Sequence, residues 1–226
     1  MPIEPDKHLR LGPSRAHRWL KCGFSITDPR PSDDTPTSAA VRGKHIHALA
    51  AQVLTGEPVQ VENQLDWAKY SDTIEPYVNH IRGNHGERIE VETFLQSPTI
   101  PDYGGTCDAY VVQDDAVAVY DLKTGRWPVA AIDNPQLLCY ADIIHELWPQ
   151  FREFYGVIVQ PHSNDFQMVK PIADITLDQL AEHRENVWAA AESIAVVTGD
   201  HCRFCPKRLH HMCPEGTVYG IQRNWN

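Results

Sequence analysis

The sequence predicts a mixed α/β domain, on three observations. Helix-period segments fill the first third of the chain, and the period drops to two across residues 88–123. Helical spacing then returns twice, with two more strand-like runs between. No stretch approaches the roughly eighteen apolar residues that a membrane span requires, and no internal repeat is present.

Ser14 to Lys21 reads as a short helix with Ser14 as its N-cap. Asp28 to Thr37, DPRPSDDTPT, is rich in Pro, Asp and Thr and reads as a loop. Val41 to Leu54 has helical spacing and stops near Gly56-Glu57-Pro58. Leu65 to Arg82 is a further helix, interrupted or kinked near Pro76. Arg88 to Leu95, Thr106 to Val112 and Ala116 to Lys123 read as strands, rich in Val, Tyr and Ile with Gly or Asp at their ends. Pro135 to Leu147 returns to helix, with Asn134 as N-cap and proline at the first helical position. Glu153 to Gln160 and Phe166 to Lys170 read as two more strands around a His-Ser-Asn-Asp turn. Thr176 to Val197 is a long amphipathic helix with Asp178 in its first turn, and a cysteine-rich tail follows.

The composition, 42% hydrophobic and 22% charged, is that of an ordinary globular chain, and 226 residues suffice for one sizeable core. A net charge of -10 argues against broad, sequence-blind coating of a polyanion. It leaves room for a carboxylate metal site, which is acidic until its cation arrives. Met1 to Arg10 is polar and proline-bearing, without the apolar core of a secretion signal, so the expected location is the cytoplasm. Six cysteines in such a compartment point to metal rather than disulfides.

Chemistry concentrates in Gly104 to Gly125, GGTCDAYVVQDDAVAVYDLKTG. Two strand-like runs meet at the turn Gln113-Asp114-Asp115, and alternation puts Val117, Val119, Asp121 and Lys123 on one face. An Asp and a Lys thus project together from the end of an apolar strand, where isolated charge is costly. A divalent cation gives a reason for them: Asp108 and Asp121 offer hard oxygen ligands suited to Mg²⁺ or Mn²⁺. Lys123 could then orient an attacking water or stabilise charge on a reacting phosphate. Asp-Leu-Lys alone is short enough to recur by accident at the mouth of an ordinary hairpin. Other residues add to it. Gly43 permits close approach at the start of a helix, and His47, one turn on, shares its face and could be a nitrogen ligand, against a plain reading as a surface or core histidine. Gln136 and Tyr140, also one turn apart, could hold Lys123 or contact a phosphate, against a plain reading of helix packing and a solvated glutamine.

Together these residues resemble the RecB-like branch of the PD-(D/E)xK nuclease superfamily. Its pattern is a Gly-x-x-x-His helix, then Gly-Thr-x-Asp, Asp-x-Lys-Thr-Gly and Gln-x-x-x-Tyr. The matching stretches here are Gly43 to His47, Gly105 to Asp108, Asp121 to Gly125 and Gln136 to Tyr140, all in order. The resemblance implies a central mixed sheet flanked by helices and a Mg²⁺- or Mn²⁺-dependent deoxyribonuclease. It implies His47, Asp108, Asp121 and the Leu122 carbonyl as metal ligands, Lys123 as the catalytic lysine, and Gln136 and Tyr140 as organisers of the site. Glu92, where some relatives carry another acidic residue, receives less weight. Ser14 to Cys22 and Gly199 to Cys205 look like the two ends of a phage and prophage family similar to iron–sulfur exonucleases of the AddB type. That likeness implies an exonuclease acting on DNA ends in phage recombination or processing, with a recombination or single-strand-binding protein as partner. The expected organisation is one nuclease domain over 1–226: N-terminal helix and loop 1–40, core 41–198 and tail 199–226.

Cys202, Cys205 and Cys213 form a C-x₂-C knuckle with a third thiol, a metal signal by spacing. Cys22 is the natural fourth ligand, because termini often lie close together in compact domains. Four sulfurs suit zinc or an iron–sulfur centre, and His201, His210 and His211 keep a Cys₃His zinc site open. The resemblance favours a 4Fe–4S cluster on Cys22, Cys202, Cys205 and Cys213. Cys107 and Cys139 read as buried thiols. Arg203, Lys207 and Arg208 form a basic patch that could touch DNA backbone, or a plain solvated face. Two competitors keep the same fold, a structure-specific or nonspecific endonuclease and a non-catalytic DNA-binding recombination partner. A third is a zinc-stabilised interaction module.

Overall fold

A computed structural model describes residues 9–28, 37–57, 64–84 and 86–215. Most of the expected loop between Asp28 and Thr37 lies outside them. A 3-10 turn, Pro13–Arg15, leads into α1 (Ala16–Trp19). Ser14 is not the cap expected: the turn has Gly12 and the helix Arg15 at the N-cap, without a side-chain bond, because the turn takes up the position before the helix. A second 3-10 turn, Gly23–Ile26, follows.

Helix α2 (Ser38–Thr55) opens on Thr37, whose hydroxyl accepts from the Ala40 N–H, and closes on Gly56 at φ 75°. Helix α3 (Gln64–Gly83) runs unbroken through Pro76, contrary to the expected interruption. Ile74, Tyr77, Val78 and Ile81 are buried together under it, so packing holds the helix across the lost hydrogen bond.

Strands β1 (Arg88–Gln96), β2 (Gly104–Gln113), β3 (Ala116–Leu122), β4 (Glu153–Val159) and β5 (Ala173–Ile175) form one sheet in that order. The pairings are antiparallel except β3–β4, which is parallel and connected through α4 (Pro135–Leu147). Asn134 caps α4 by accepting from the N–H groups of Gln136 and Leu137, with Pro135 at the first position, as the sequence predicts. Alternation along β3 divides the core. Val117 and Val119 pack with Trp19, Leu137, Ile143 and Leu180 on one face. Ala118, Tyr120 and Leu122 pack with Leu49, Tyr77 and Ile81 from α2 and α3 on the other. The fold is the expected α/β class, a five-stranded mixed sheet flanked by helices. No helix among the described residues is long and apolar enough to cross a membrane.

Two expectations fail after β4. Phe166 to Lys170 is a turn that touches β4 by the isolated Val159–Val169 bridge, and the edge strand is Ala173–Ile175. Phe166 takes φ 60°, incompatible with an extended run, and Lys170 turns its amine inward to Asp165. Helix α5 (Leu177–Glu192) starts as expected, with a Thr176/Gln179 capping box and Asp178 in its first turn, but stops five residues short of Val197. There the chain extends to meet the N-terminal segment, where the Phe24 N–H donates to the Ala195 carbonyl at 3.2 Å. A Cβ on Gly23 would lie 2.3 Å from the Ser193 carbonyl oxygen, so only glycine admits this crossing.

Candidate metal and catalytic site

The pairing registers put three acidic residues in one row. Val91 faces Ala109 and Thr93 faces Cys107, so Glu92 lies opposite Asp108. Ala109 faces Tyr120, so Asp108 lies opposite Asp121. Glu92 adopts φ 46°, an uncommon conformation for a non-glycine residue, and the β1–β2 ladder skips it. His47 reaches this row from α2, with Nδ1 3.1 Å from Asp108 Oδ1. One ligand atom from each of His47, Glu92 and Asp108 lies within 4.8 Å of the others.

Asp108 and Asp121 are fastened differently. The Leu122 N–H donates to Asp108 Oδ2 at 2.9 Å. Lys123 Nζ lies 3.0 and 2.8 Å from the two oxygens of Asp121 and donates to Gln136 Oε1 at 2.8 Å. The Lys123 N–H donates to the Val159 carbonyl at 2.9 Å, which fixes the strand end beneath it. Of the two roles open for α4, Gln136 holds the lysine. Tyr140 donates its hydroxyl to the Thr106 carbonyl and braces β2 behind Asp108. Gly43 faces Thr124, whose Oγ1 would stand 3.5 Å from an added Cβ, an ordinary contact, so space alone does not require a glycine there.

These side chains line a cavity of about 820 Å³ that also takes in Ser14, Arg15, Lys44 and Thr124. Burial pushes the Glu92 carboxyl up, Asp108 adds repulsion, and it reaches about 6. Burial would lower the His47 imidazole, yet Asp108 raises it to about 9. Burial raises Asp121 against the pull of Lys123, with Asp108 adding to the rise. Asp108 would also be raised by burial but is held low by His47 and the Leu122 N–H. Three carboxylates thus face one ammonium and one imidazole. If the imidazole gives up its proton to act as a ligand, the row is short of positive charge by about what a divalent cation carries. Oxygen donors with one nitrogen fit Mg²⁺ or Mn²⁺.

Glu92 is the residue that sequence reasoning undervalued, and its carboxylate on the preceding strand was the only signal. Arg15 and Lys44 reach the cavity without any spacing signal, because long-range packing brings them there.

Away from the cavity lining, the segment around Cys22 meets the segment around Cys202. Burial pushes the Cys202 thiol up, the Gly199 backbone opposes this, and the charges of Cys205, Cys22 and Cys213 add to the rise, so all four cysteines lie within electrostatic reach. All are free thiols, and Cys107 and Cys139 are buried as expected. His201 Nε2 lies 2.9 Å from the Val197 carbonyl oxygen. The basic patch does not form as expected. Lys207 is 2% exposed, donates to Thr27 Oγ1 at 2.6 Å and lies over the Phe24 ring. The Arg208 guanidinium donates to the carbonyls of Cys202 and Arg203. Lys207 is therefore a strut between the termini, and Arg203 is the exposed member of the three.

The fold and cavity define an α/β protein with an acidic, histidine-bearing pocket at one end of a mixed sheet. The chain belongs to the DUF2800 family, described as a protein of unknown function, whose model matches residues 8–222. Among solved structures it is similar to an alkaline exonuclease (LHK-Exo) from Laribacter hongkongensis, at 15% identity and a TM-score of 0.39, covering 83% of this chain and 89% of that one. The same exonuclease in complex with dAMP matches at 16% identity and a TM-score of 0.37, covering 96% and 95%. A candidate exonuclease from Eubacterium rectale matches at 10% identity and a TM-score of 0.48, covering 91% of each chain.

Proposed function

We propose that this chain is a Mg²⁺- or Mn²⁺-dependent deoxyribonuclease of one domain over residues 1–226, acting as an exonuclease on DNA ends. The observation that carries the reading is the row Glu92, Asp108 and Asp121 with His47 above it and Lys123 beside it, inside one cavity. His47, Asp108, Asp121 and the Leu122 carbonyl would hold the cation, with Glu92 as a further ligand. Bound there, a divalent cation activates water and neutralises charge on a phosphodiester. Lys123, held by Asp121 and Gln136, presents an ammonium to the phosphate oxygens as their charge grows. Gln136 keeps that ammonium aimed, and Tyr140 keeps the Asp108 strand in place. Asp121, 2% exposed, is anchored in the sheet wall at the back of the cavity.

Cys22, Cys202, Cys205 and Cys213 would carry a 4Fe–4S cluster that ties the ends of the chain together, in support of the fold rather than of the chemistry. What supports a metal at this place is the C-x₂-C knuckle of Cys202 and Cys205, with Cys22 and Cys213 among the groups whose charge reaches Cys202. Iron and sulfide analysis of freshly purified protein tests it, and stoichiometric zinc without iron defeats it.

The decisive assay incubates end-labelled linear, circular and single-stranded DNA with wild type and Lys123→Ala in Mg²⁺ or Mn²⁺. Loss of label from linear DNA by wild type alone supports an exonuclease at this site. Cutting of circles identifies an endonuclease instead, and survival of every substrate defeats the reading.

A further inference from the structure

Two aromatic side chains stand in water on joined, firmly fastened loops, one of which continues from the cavity wall. Lys123, Thr124 and Gly125 line the cavity, and two residues further on Trp127 is 80% exposed. The loop after β4 holds out Phe166, which is 94% exposed. The loops are joined, because the Asn164 N–H donates to the Arg126 carbonyl at 2.8 Å. The fully buried Gln160 donates to the carbonyls of Gly125 and Trp127 at 2.8 Å each and accepts from the Val129 N–H.

The Phe166 turn is held from within. Lys170, 3% exposed, donates to Ser163 Oγ at 2.8 Å and to both oxygens of Asp165 at 2.5 and 2.7 Å. Committing a buried ammonium to a surface turn is costly, and its effect is to hold one conformation. Phe166 sits in that turn at φ 60°, where Asn or Gly would rest with less strain. Water gains nothing from a phenyl ring placed there.

We infer that Trp127 and Phe166 form a stacking platform for the unpaired bases of a nucleic-acid strand entering the cavity, so that the substrate is single-stranded or has a frayed end. This rests on the nuclease reading. Every base has an apolar face and stacks on aromatic rings whatever its sequence, whereas bases inside a duplex are already stacked on each other. Arg126, exposed and next to Trp127 in the chain, supplies the cation that phosphate contact needs. From Lys123 to Trp127 the chain can reach at most about 14 Å, so the platform lies within a few nucleotides of the candidate metal site.

The test titrates full-length protein, without added divalent ion, into fluorescein-labelled oligothymidylate and a blunt duplex of equal length, read by anisotropy. Trp127→Ala and Phe166→Ala should each weaken single-strand binding roughly tenfold and leave duplex binding nearly unchanged. Trp127→Phe should keep most of the affinity. Phe166→Gly, which relaxes the backbone, should raise the melting temperature while weakening the single-strand complex, a pairing that a purely structural residue would not give. Unchanged single-strand affinity, or equal loss on both ligands, overturns the platform. So does a double variant that turns a dimer into a monomer without altering DNA binding, since the surface would then be a contact between copies. Cleavage in Mn²⁺ is scored separately. Wild-type cleavage with unaltered variant affinity sinks the platform alone, and platform-dependent binding with no cleavage sinks the hydrolytic reading alone.

Discussion

Two clusters of buried charge meet α4, and they are finished in opposite ways. On one face Gln136 and Tyr140 serve the cavity, where Glu92, Asp108 and Asp121 gather around Lys123 and His47. On another face Asp142 and Glu146 close on Arg184. The Arg184 Nε donates to Asp142 Oδ1 at 2.9 Å and Nη2 donates to Glu146 Oε2 at 2.9 Å. Ser97 and Thr99 donate to Glu146 as well. Burial would raise Glu146, yet hydrogen bonds from Arg184, Ser97 and Thr99 hold it below the usual carboxylate range. The planar guanidinium fork engages one oxygen of each carboxylate, although Asp142 Oδ2 stays buried without a hydrogen-bond partner. The cavity cluster stays short of cation and open to an 820 Å³ space. A closed cluster reads as architecture, and an open one as a place for chemistry.

Substitutions should separate the two. The largest effect is expected at Lys123. Replacing it with alanine should slow DNA hydrolysis by about 10²–10³-fold, measured by release of end label. Second comes the closed cluster, where Arg184→Met leaves Asp142 buried without its partner. The expected loss is about 3 kcal/mol of stability by urea unfolding, with cleavage per folded molecule unchanged. Loss of cleavage from that substitution would erase the distinction.

Next to Arg184, His183 is buried against Tyr103, and burial lowers its imidazole to about 4. A depressed histidine contributes stability that is present above pH 6.5 and is lost as pH falls toward 4, by roughly 3 kcal/mol. Asp142, raised to about 6 by burial against the pull of Arg184, runs the other way, losing stability as pH rises from 3.8 to 6. Comparing wild type with His183→Gln by urea unfolding at pH 7 and pH 4.5 isolates the histidine. The variant should gain relative to wild type in acid.

Smaller effects fall to the open cluster. Saturating Mn²⁺, at about 100 times its Kd, should stabilise wild type by about 2.7 kcal/mol in thermal unfolding. Asp108→Asn should lose most of that shift. Without metal, Glu92→Gln should stabilise the protein by about 0.5–1 kcal/mol once solvent screening is allowed for, because it removes a carboxylate that burial penalises and Asp108 repels. The sign follows from the raised carboxyl: relative to the variant, wild type loses stability as pH rises from 4.5 toward 6. A stability difference between the two proteins that ignores pH would break the idea that this row is unfinished without its cation.

Much of this was legible in the sequence because its cause is local. The Asn134 cap and Pro135 place α4 to the residue, since one side chain and two N–H groups settle that end. Alternation along β3 puts Asp121 and Lys123 on the α4 face, since the period of a strand is two. Spacing by one helical turn brings Gln136 beneath Lys123 and Tyr140 behind Asp108. The misreadings arise both from pairs close along the chain and from distant ones. Phe166 to Lys170 has strand-like residues, yet the Lys170–Asp165 pair bends it into a turn. Ile194 and Val197 have helical spacing, yet the crossing at Gly23 unwinds them and leaves them exposed.

The sequence by itself thus determined the α/β class, the order of elements and the residues able to bind a cation, because period, capping and side-chain chemistry act within a few residues. Tertiary structure alone decided which of those residues meet. It set Glu92 in line with Asp108 and Asp121 through strand register, brought Cys22 within reach of the tail cysteines, and buried Lys207 as a strut. Register and the meeting of chain ends depend on packing between distant segments, which no local spacing encodes.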